Sequence, residues 1–264
     1  IVFNGEIYNF RELRKDLQAK GYDFRSESDT EVLLARFAEY GPEMLHRLRG
    51  MFALAIWDAR EERLWLVRDP IGIKPLYYTC QGGRFLFASE IKAILAYPGI
   101  PRAVHLPGLH HYLSFLTTPA PLTLFEGIHK LPAGHTLTVE RDGSVRVEEW
   151  WDVFTDVRPP TIEDEATLAE RLLDLLRESI RYRMVSDVPF GVFLSGGIDS
   201  STNVALMAEL MDRPVETFSI GFTGEERYNE FAYARQIADR FRTNHHEVRI
   251  GVQDLIDFLP QLID

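Results

Sequence analysis

Cysteine is nearly missing from this 264-residue chain: Cys80 stands alone, so no disulfide closes within it and no multi-cysteine metal site can be built. No apolar run reaches the length of a membrane span, and the opening stretch IVFNGEIYNF lacks both the basic start and the small-residue cleavage site of a secretory signal. Those absences predict a cytoplasmic protein with no membrane partner. No basic cluster offsets the net charge of -11, which argues against nucleic acid as a partner. Low-complexity tracts are missing too. What is present is a hydrophobic content of 45%, enough for the cores of two domains. The chain opens on Ile1 and stops inside the amphipathic run VQDLIDFLPQLID, which reads as a piece of a longer protein.

Two rhythms divide the sequence. In the first half, Phe10, Leu13 and Leu17 have helical spacing ahead of Gly21, and a second helix is expected from Asp29, acting as its cap, to Gly41-Pro42. The runs MFALAIWD, RLWLVRD, KPLYYTC and RFLFASE then predict an antiparallel meander, and HTLTVERDGSVRVEEWW a further hairpin. Aperiodic, proline-bearing sequence places a linker at residues 154–164, after a first domain of residues 1–153. From residue 165 to 264, helices alternate with the strands VPFGVFL, ETFSIGF and HHEVRI, the pattern of a parallel α/β sheet. Leu168, Leu172, Leu175 and Leu176 form the expected core stripe of its first helix, with Arg171, Glu178 and Arg181 on the solvated face. His245 and His246 fall on opposite faces of a strand, so they read as packing and not as a metal pair.

LSGGIDSS, residues 194–201, sits where a parallel sheet binds ligands, between the end of a strand and the start of a helix. Gly196 and Gly197 permit close approach of the main chain, the helix start offers unpaired N–H groups, and Ser195, Ser200 and Ser201 add hydroxyls. Asp199 would repel a bare phosphate, which suggests a bridging Mg²⁺. A tight turn with serine and aspartate capping a helix is the competing reading. The loop has no Gly-Lys-Ser/Thr ending, so a Walker site is not indicated.

SGGIDS instead resembles the pyrophosphate loop of the N-type ATP pyrophosphatases, which split ATP between its α and β phosphates. The resemblance implies ATP and Mg²⁺ as cofactors, with Ser195, Gly196, Gly197, Asp199, Ser200 and Ser201 holding pyrophosphate and Asp199 holding the metal. It further implies that Phe193, Leu194 and Ile220 contact adenine.

The first half carries a second resemblance. Asn4-Gly5-Glu6 and Asp29, followed by GMFALAIWD, RDPIGIKPLYY and FASEIKAI, are similar to the class II glutamine amidotransferases, which are N-terminal nucleophile hydrolases. In that family the Asn-Gly pair forms the oxyanion hole and the aspartate binds the α-amino group of glutamine. Asn4 and Gly5 are thereby implied as catalytic, and Asn4, Gly5, Glu6 and Asp29 as glutamine-binding. Fixed donors aimed at developing charge suit the first task, and a carboxylate facing an ammonium suits the second. An ordinary NGE turn and a capping Asp29 are the simpler readings. Arg68, Asp69, Gly72 and Pro75 are assigned to architecture. The family's N-terminal cysteine nucleophile is not in this chain, whose residue 1 is isoleucine, and its carboxylate-binding arginine is missing as well. Cys80, inside the meander, is expected to be a packed or partly exposed thiol. This chain alone is therefore not expected to hydrolyse glutamine.

In this order, the two halves resemble the glutamine-hydrolysing asparagine synthetases. That implies a truncated α+β domain of layered antiparallel sheets, of the N-terminal nucleophile hydrolase kind, then a truncated parallel α/β domain of the ATP pyrophosphatase type. The implied substrates are glutamine and aspartate, the products asparagine, AMP and pyrophosphate, and the assembly a homodimer. Three alternatives stay open: a glutamine phosphoribosylpyrophosphate amidotransferase, against which the loop at Ser195 argues; a relative such as a β-lactam synthetase, activating another carboxylate; and a degenerate, non-enzymatic assembly domain.

Overall fold

The computed structural model describes residues 1–155, 164–224 and 226–263. Two compact units divide the chain, Ile1–Pro160 and Thr161–Asp264. The first runs β1 (Val2–Ile7), α1 (Phe10–Gln18), α2 (Asp29–Tyr40), β2 (Gly50–Asp58), β3 (Arg63–Arg68), β4 (Tyr77–Gln81) and β5 (Arg84–Ala88). It continues with α3 (Ile91–Leu95), α4 (Leu106–Phe115), β6 (Ile128–Lys130), β7 (His135–Val139) and β8 (Val145–Glu149).

The strands form two antiparallel sheets, one ordered β1-β2-β3-β7-β8 and the other β5-β4-β6. Strand β2 explains the layering, because its successive side chains point to opposite faces. Phe52, Leu54 and Ile56 pack with Leu13 and Leu17 of α1 and Val32 and Leu33 of α2. Ala53 and Ala55 face Leu66, Leu76 and Leu137, with Tyr78, Phe85 and Phe87 of the second sheet alongside. Small residues on that side leave room for the rings. Buried on both faces, the strand is one unbroken apolar run in the sequence.

The four runs read as a meander are divided between two antiparallel sheets, in keeping with the layered antiparallel sheets expected, and the segment between β3 and β4 carries the chain from one layer to the other. Asp69 is fully buried there, and its carboxylate accepts N–H bonds from Phe52 (3.2 Å), Ile73 (2.9 Å) and Lys74 (2.9 Å). Arg68 donates to the carbonyls of Lys74 (2.8 Å), Gly72 (2.8 Å) and Leu131 (2.7 Å). Such a pair satisfies a tight buried turn that has little secondary structure of its own. Gly72 adopts φ +68, a left-handed conformation the turn requires. A smaller correction concerns α2: its cap is Ser28, whose hydroxyl accepts the Thr30 N–H at 3.1 Å, and Asp29 is the first helical residue.

The second unit runs α5 (Glu165–Arg183), β9 (Val192–Phe193), α6 (Ile198–Leu210), β10 (Glu216–Phe222), α7 (Phe231–Phe241), β11 (Asn244–Ile250) and α8 (Val252–Ile263). Strand β10 pairs in parallel with both β9 and β11. Strand β9 has only two residues of the seven expected, since Pro189 offers no N–H and Gly191 packs closely against β10. One face of the sheet is covered by α6 and α7, around Leu194, Val204, Ala234 and Ala238. On the other face Phe218, Ile220 and Phe222 are exposed. The leucine stripe of α5 is also corrected: Leu168, Leu172 and Leu175 are exposed and Leu176 is half-buried, since α5 is partly covered only from residue 176 onward, where Arg177 pairs with Glu209 of α6 at 3.1 Å. His245 and His246 do point apart. The first bonds Thr217 at 2.9 Å, and the second bonds Glu216 at 2.8 Å and stacks on Phe218. Among the described residues no helix is long and apolar enough to cross a membrane.

Candidate functional site

In the first unit the residues singled out gather along β1, an outer strand of its sheet. The Asn4 amide donates to the Ser89 hydroxyl at 3.1 Å, and Ser89 directly follows β5 of the other sheet. Asp29 Oδ2 accepts the Ile7 N–H at 3.0 Å, which ties the start of α2 to the end of the same strand. Asp29 of α2 and Ser89 after β5 therefore both bond to the one six-residue strand that carries Asn4. Glu6 lies between them with its side chain exposed. Gly5 has a packing reason to be glycine, since a Cβ there would stand 2.1 Å from the Met51 carbonyl oxygen. Ser89 is absent from the sequence-derived site, although its segment FASE is part of the resemblance.

Cys80 lies on β4, in the second sheet, and is exposed. Partial burial pushes its thiol pKa up. An activated nucleophile needs the opposite shift, toward thiolate.

The second unit has a crevice of about 300 Å³ over the carboxyl ends of β9 and β10. Phe193, Leu194, Phe218, Ile220 and Phe231 make its apolar walls, and Ser195, Ser200, Ser219 and Glu230 its polar ones. Of the residues expected from sequence, Phe193, Leu194, Ser195, Ser200 and Ile220 line it. Gly196, Gly197, Asp199 and Ser201 stand on the adjoining loop and first turn of α6, outside that lining. Phe218, Ser219, Glu230 and Phe231 were not expected.

Inside the loop the serines organise one another. The Ser195 and Ser200 hydroxyls are 2.9 Å apart, the Ser195 N–H donates to Ser200 Oγ (3.2 Å), and the Gly197 N–H donates to Ser195 Oγ (3.3 Å). Helix α6 starts at Gly197 without a side-chain cap, and its first amide to find an acceptor is that of Ser201, on the Gly197 carbonyl (3.0 Å). The amides of Ile198, Asp199 and Ser200 are left as donors at a positive dipole end. The two glycines differ. Gly196, at φ +82, lies against α7, where a Cβ would stand 2.5 Å from the Tyr233 Cβ; Gly197 has only Ser195 Oγ near its missing Cβ, at 3.4 Å.

Whether such a loop suits magnesium and nucleotide rests on its donor set. Ser201 Oγ is buried with no hydrogen-bond partner, and Asp199 is exposed and unpaired among the described residues. No group of three or more His, Cys, Asp or Glu among those residues could hold a metal by itself. A resident metal centre does not fit. A magnesium ion that arrives on phosphate does, because it keeps several waters and needs only one or two carboxylates from protein.

Sequence comparison agrees with this two-part arrangement. The family profile described as a glutamine amidotransferase domain matches residues 1–151, and the one described as asparagine synthase matches residues 171–264. Asparagine synthetase [glutamine-hydrolyzing] 3 of Bacillus subtilis (strain 168) is 35% identical over 100% of this chain and 44% of its own length. Asparagine synthetase [glutamine-hydrolyzing] 1 of the same organism is 38% identical, over 100% of this chain and 41% of its own length. The chain thus spans less than half of either relative. A solved structure, glutamine phosphoribosylpyrophosphate amidotransferase from B. subtilis complexed with ADP and GMP, has 16% identity and a TM-score of 0.40 over 93% of this chain and 44% of its own, too slight a likeness to bear on the fold. On the two profile matches and these identities, the chain belongs to the glutamine-hydrolysing asparagine synthetase family.

Proposed function

We propose that this chain carries the ammonia-releasing pocket and the nucleotide-binding loop of an ATP-dependent amide ligase that makes asparagine from aspartate and glutamine, working as a homodimer. Residues 1–153 form the glutaminase domain, of the N-terminal nucleophile hydrolase kind, and the chain from residue 165 opens an ATP pyrophosphatase-type domain. In the first, Asn4 and Gly5 steady the oxyanion formed when the glutamine amide is attacked, while Asp29, beside Glu6, pairs with the substrate ammonium. The attacking thiol is not supplied by these residues, and alone they do not hydrolyse glutamine.

The observation that carries the second part is the uncapped start of α6 beside the crevice. Ser195, Ser200 and Ser201 offer hydroxyls, and the amides following Gly197 offer N–H donors, to the β and γ phosphates. Phe193, Leu194 and Ile220 border the apolar part, which suits a purine ring. Attack of the aspartate β-carboxylate on the α phosphorus then forms β-aspartyl-AMP and expels pyrophosphate, and ammonia displaces AMP. Adenylation is needed because a free carboxylate is a poor acyl donor, whereas its mixed anhydride with AMP carries a good leaving group. Bound magnesium, with Asp199 as its protein ligand, supplies neutralising charge to the leaving pyrophosphate.

The full-length parent protein, incubated with Mg-ATP, aspartate and amide-labelled glutamine, should give labelled asparagine with one AMP and one pyrophosphate each. Amide formed on another acid but never on aspartate would make the acceptor wrong and leave the adenylation chemistry standing. No nucleotide binding at all would favour the assembly-domain reading.

A further inference from the structure

Glu230 is the acidic residue in the crevice lining, and Asp199 is outside it. Two contacts fix where Glu230 stands. Its neighbour Asn229 clamps the end of β10, accepting the Phe222 N–H at 2.6 Å and donating to the Phe222 carbonyl at 2.9 Å. One turn onward, the Tyr233 N–H returns to the Glu230 carbonyl (3.0 Å), and Tyr233 is the residue against which Gly196 packs. Glu230 is thereby held near the serine loop, in the same crevice lining as Ser195 and Ser200.

Among the described residues its side chain has no hydrogen-bond or ion-pair partner. Glu230 occupies the cap position of α7 yet makes no side-chain capping bond. A bare triphosphate entering the crevice meets this negative charge head-on. A triphosphate carrying a divalent cation meets a ligand. Resting on the nucleotide reading given above, we infer that Glu230 makes the crevice selective for the magnesium complex of ATP over the free nucleotide, contacting the cation directly or through its waters.

The test compares affinities of the full-length protein for Mg-ATP, for ATP in excess EDTA, and for AMP in EDTA, by calorimetry, in wild type, Glu230→Gln and Glu230→Asp. In Glu230→Gln, Mg-ATP should bind about 10-fold or more weakly. Metal-free ATP should bind more tightly than to wild type, since a repulsion has gone, and AMP should be little changed. Glu230→Asp should keep part of the preference. Opposite movement of the two ATP forms is something a merely structural role would not produce. Equal weakening of Mg-ATP and free ATP, or a loss of AMP binding to match, would overturn the assignment and point to local structure or to the ribose hydroxyls. Wild type binding neither form of ATP would instead sink the nucleotide reading on which it rests.

Discussion

Replacing each glycine of the loop by alanine separates packing from ligand binding. At Gly196 a methyl would lie 2.5 Å from the Tyr233 Cβ and 2.6 Å from its carbonyl carbon, at φ +82. A left-handed backbone costs an L side chain about 1–2 kcal/mol. Forcing a methyl into packed atoms costs about 1–3 kcal/mol more. Gly196→Ala should therefore destabilise the second unit by roughly 2–5 kcal/mol. Gly197 is different, with φ -73 and only Ser195 Oγ, 3.4 Å away, near the added methyl. Alanine there gains about 0.4–1 kcal/mol by restricting the unfolded chain and loses a similar amount as the poorer helix cap, so stability should move by less than about 1 kcal/mol. Yet the methyl occupies the space in which phosphate would meet the amides of α6, and Mg-ATP affinity should fall at least about tenfold, or 1.4 kcal/mol. Both quantities can be read in the full-length protein, stability from hydrogen exchange of the α6 and α7 amides in urea and affinity from calorimetry. Wild-type affinity in Gly197→Ala would refute the use of this helix start by phosphate. Wild-type stability in Gly196→Ala would refute the packing argument.

Two further outcomes test other parts of the molecule. Asp29→Asn in the full-length protein should raise the glutaminase KM about 10- to 100-fold with a smaller change in kcat, as expected when a charged hydrogen bond to substrate is lost; a change confined to kcat would place Asp29 in the chemical step instead. Glu216 accepts from Asn244 at 2.7 Å and from His246 at 2.8 Å, and these bonds, the Asn244 one first, hold its carboxyl below the usual range. Because the folded value is depressed, the contribution is complete at neutral pH and is lost as the solution is acidified through that value. Carboxyl NMR should find Glu216 titrating below an ordinary glutamate, with Asn244→Ala raising it more than His246→Ala; a titration at the ordinary value in the wild type would refute the contact.

Much of the layout was legible because local signals and tertiary packing agree. The apolar run of β2 is continuous because helices cover one face and the second sheet the other, and the turn after Asp142 follows from Gly143 at φ +82. Where one strand ends and another sheet begins was not legible. KPLYYTC has strand composition whichever sheet it joins, and the switch depends on the buried Asp69 and Arg68 reaching backbone groups as far away in sequence as Leu131. The stripe on α5 failed for a related reason: periodicity reports that a helix has an apolar face, and cannot report whether that face meets a partner within the chain.

The site was half legible, and the division follows from what a motif records. SGGIDS marks the loop, but the two glycines look alike in sequence and do different work, one yielding to the backbone of α7 and the other leaving space in front of a helix start. The loop's partners across the crevice are scattered, since Phe218, Ser219 and Glu230 come from the next strand and the helix after it. A signal for Glu230 did exist. In a parallel sheet each strand delivers its following loop to the same edge, so an acid opening the helix after TFSIGF has to stand near the loop that follows GVF. Reading charge at the start of every such helix, and not only the first, would have placed Glu230 near the proposed phosphates in addition to Asp199 on the adjoining loop, and negative charge there is hospitable to ATP only when the nucleotide arrives with its cation.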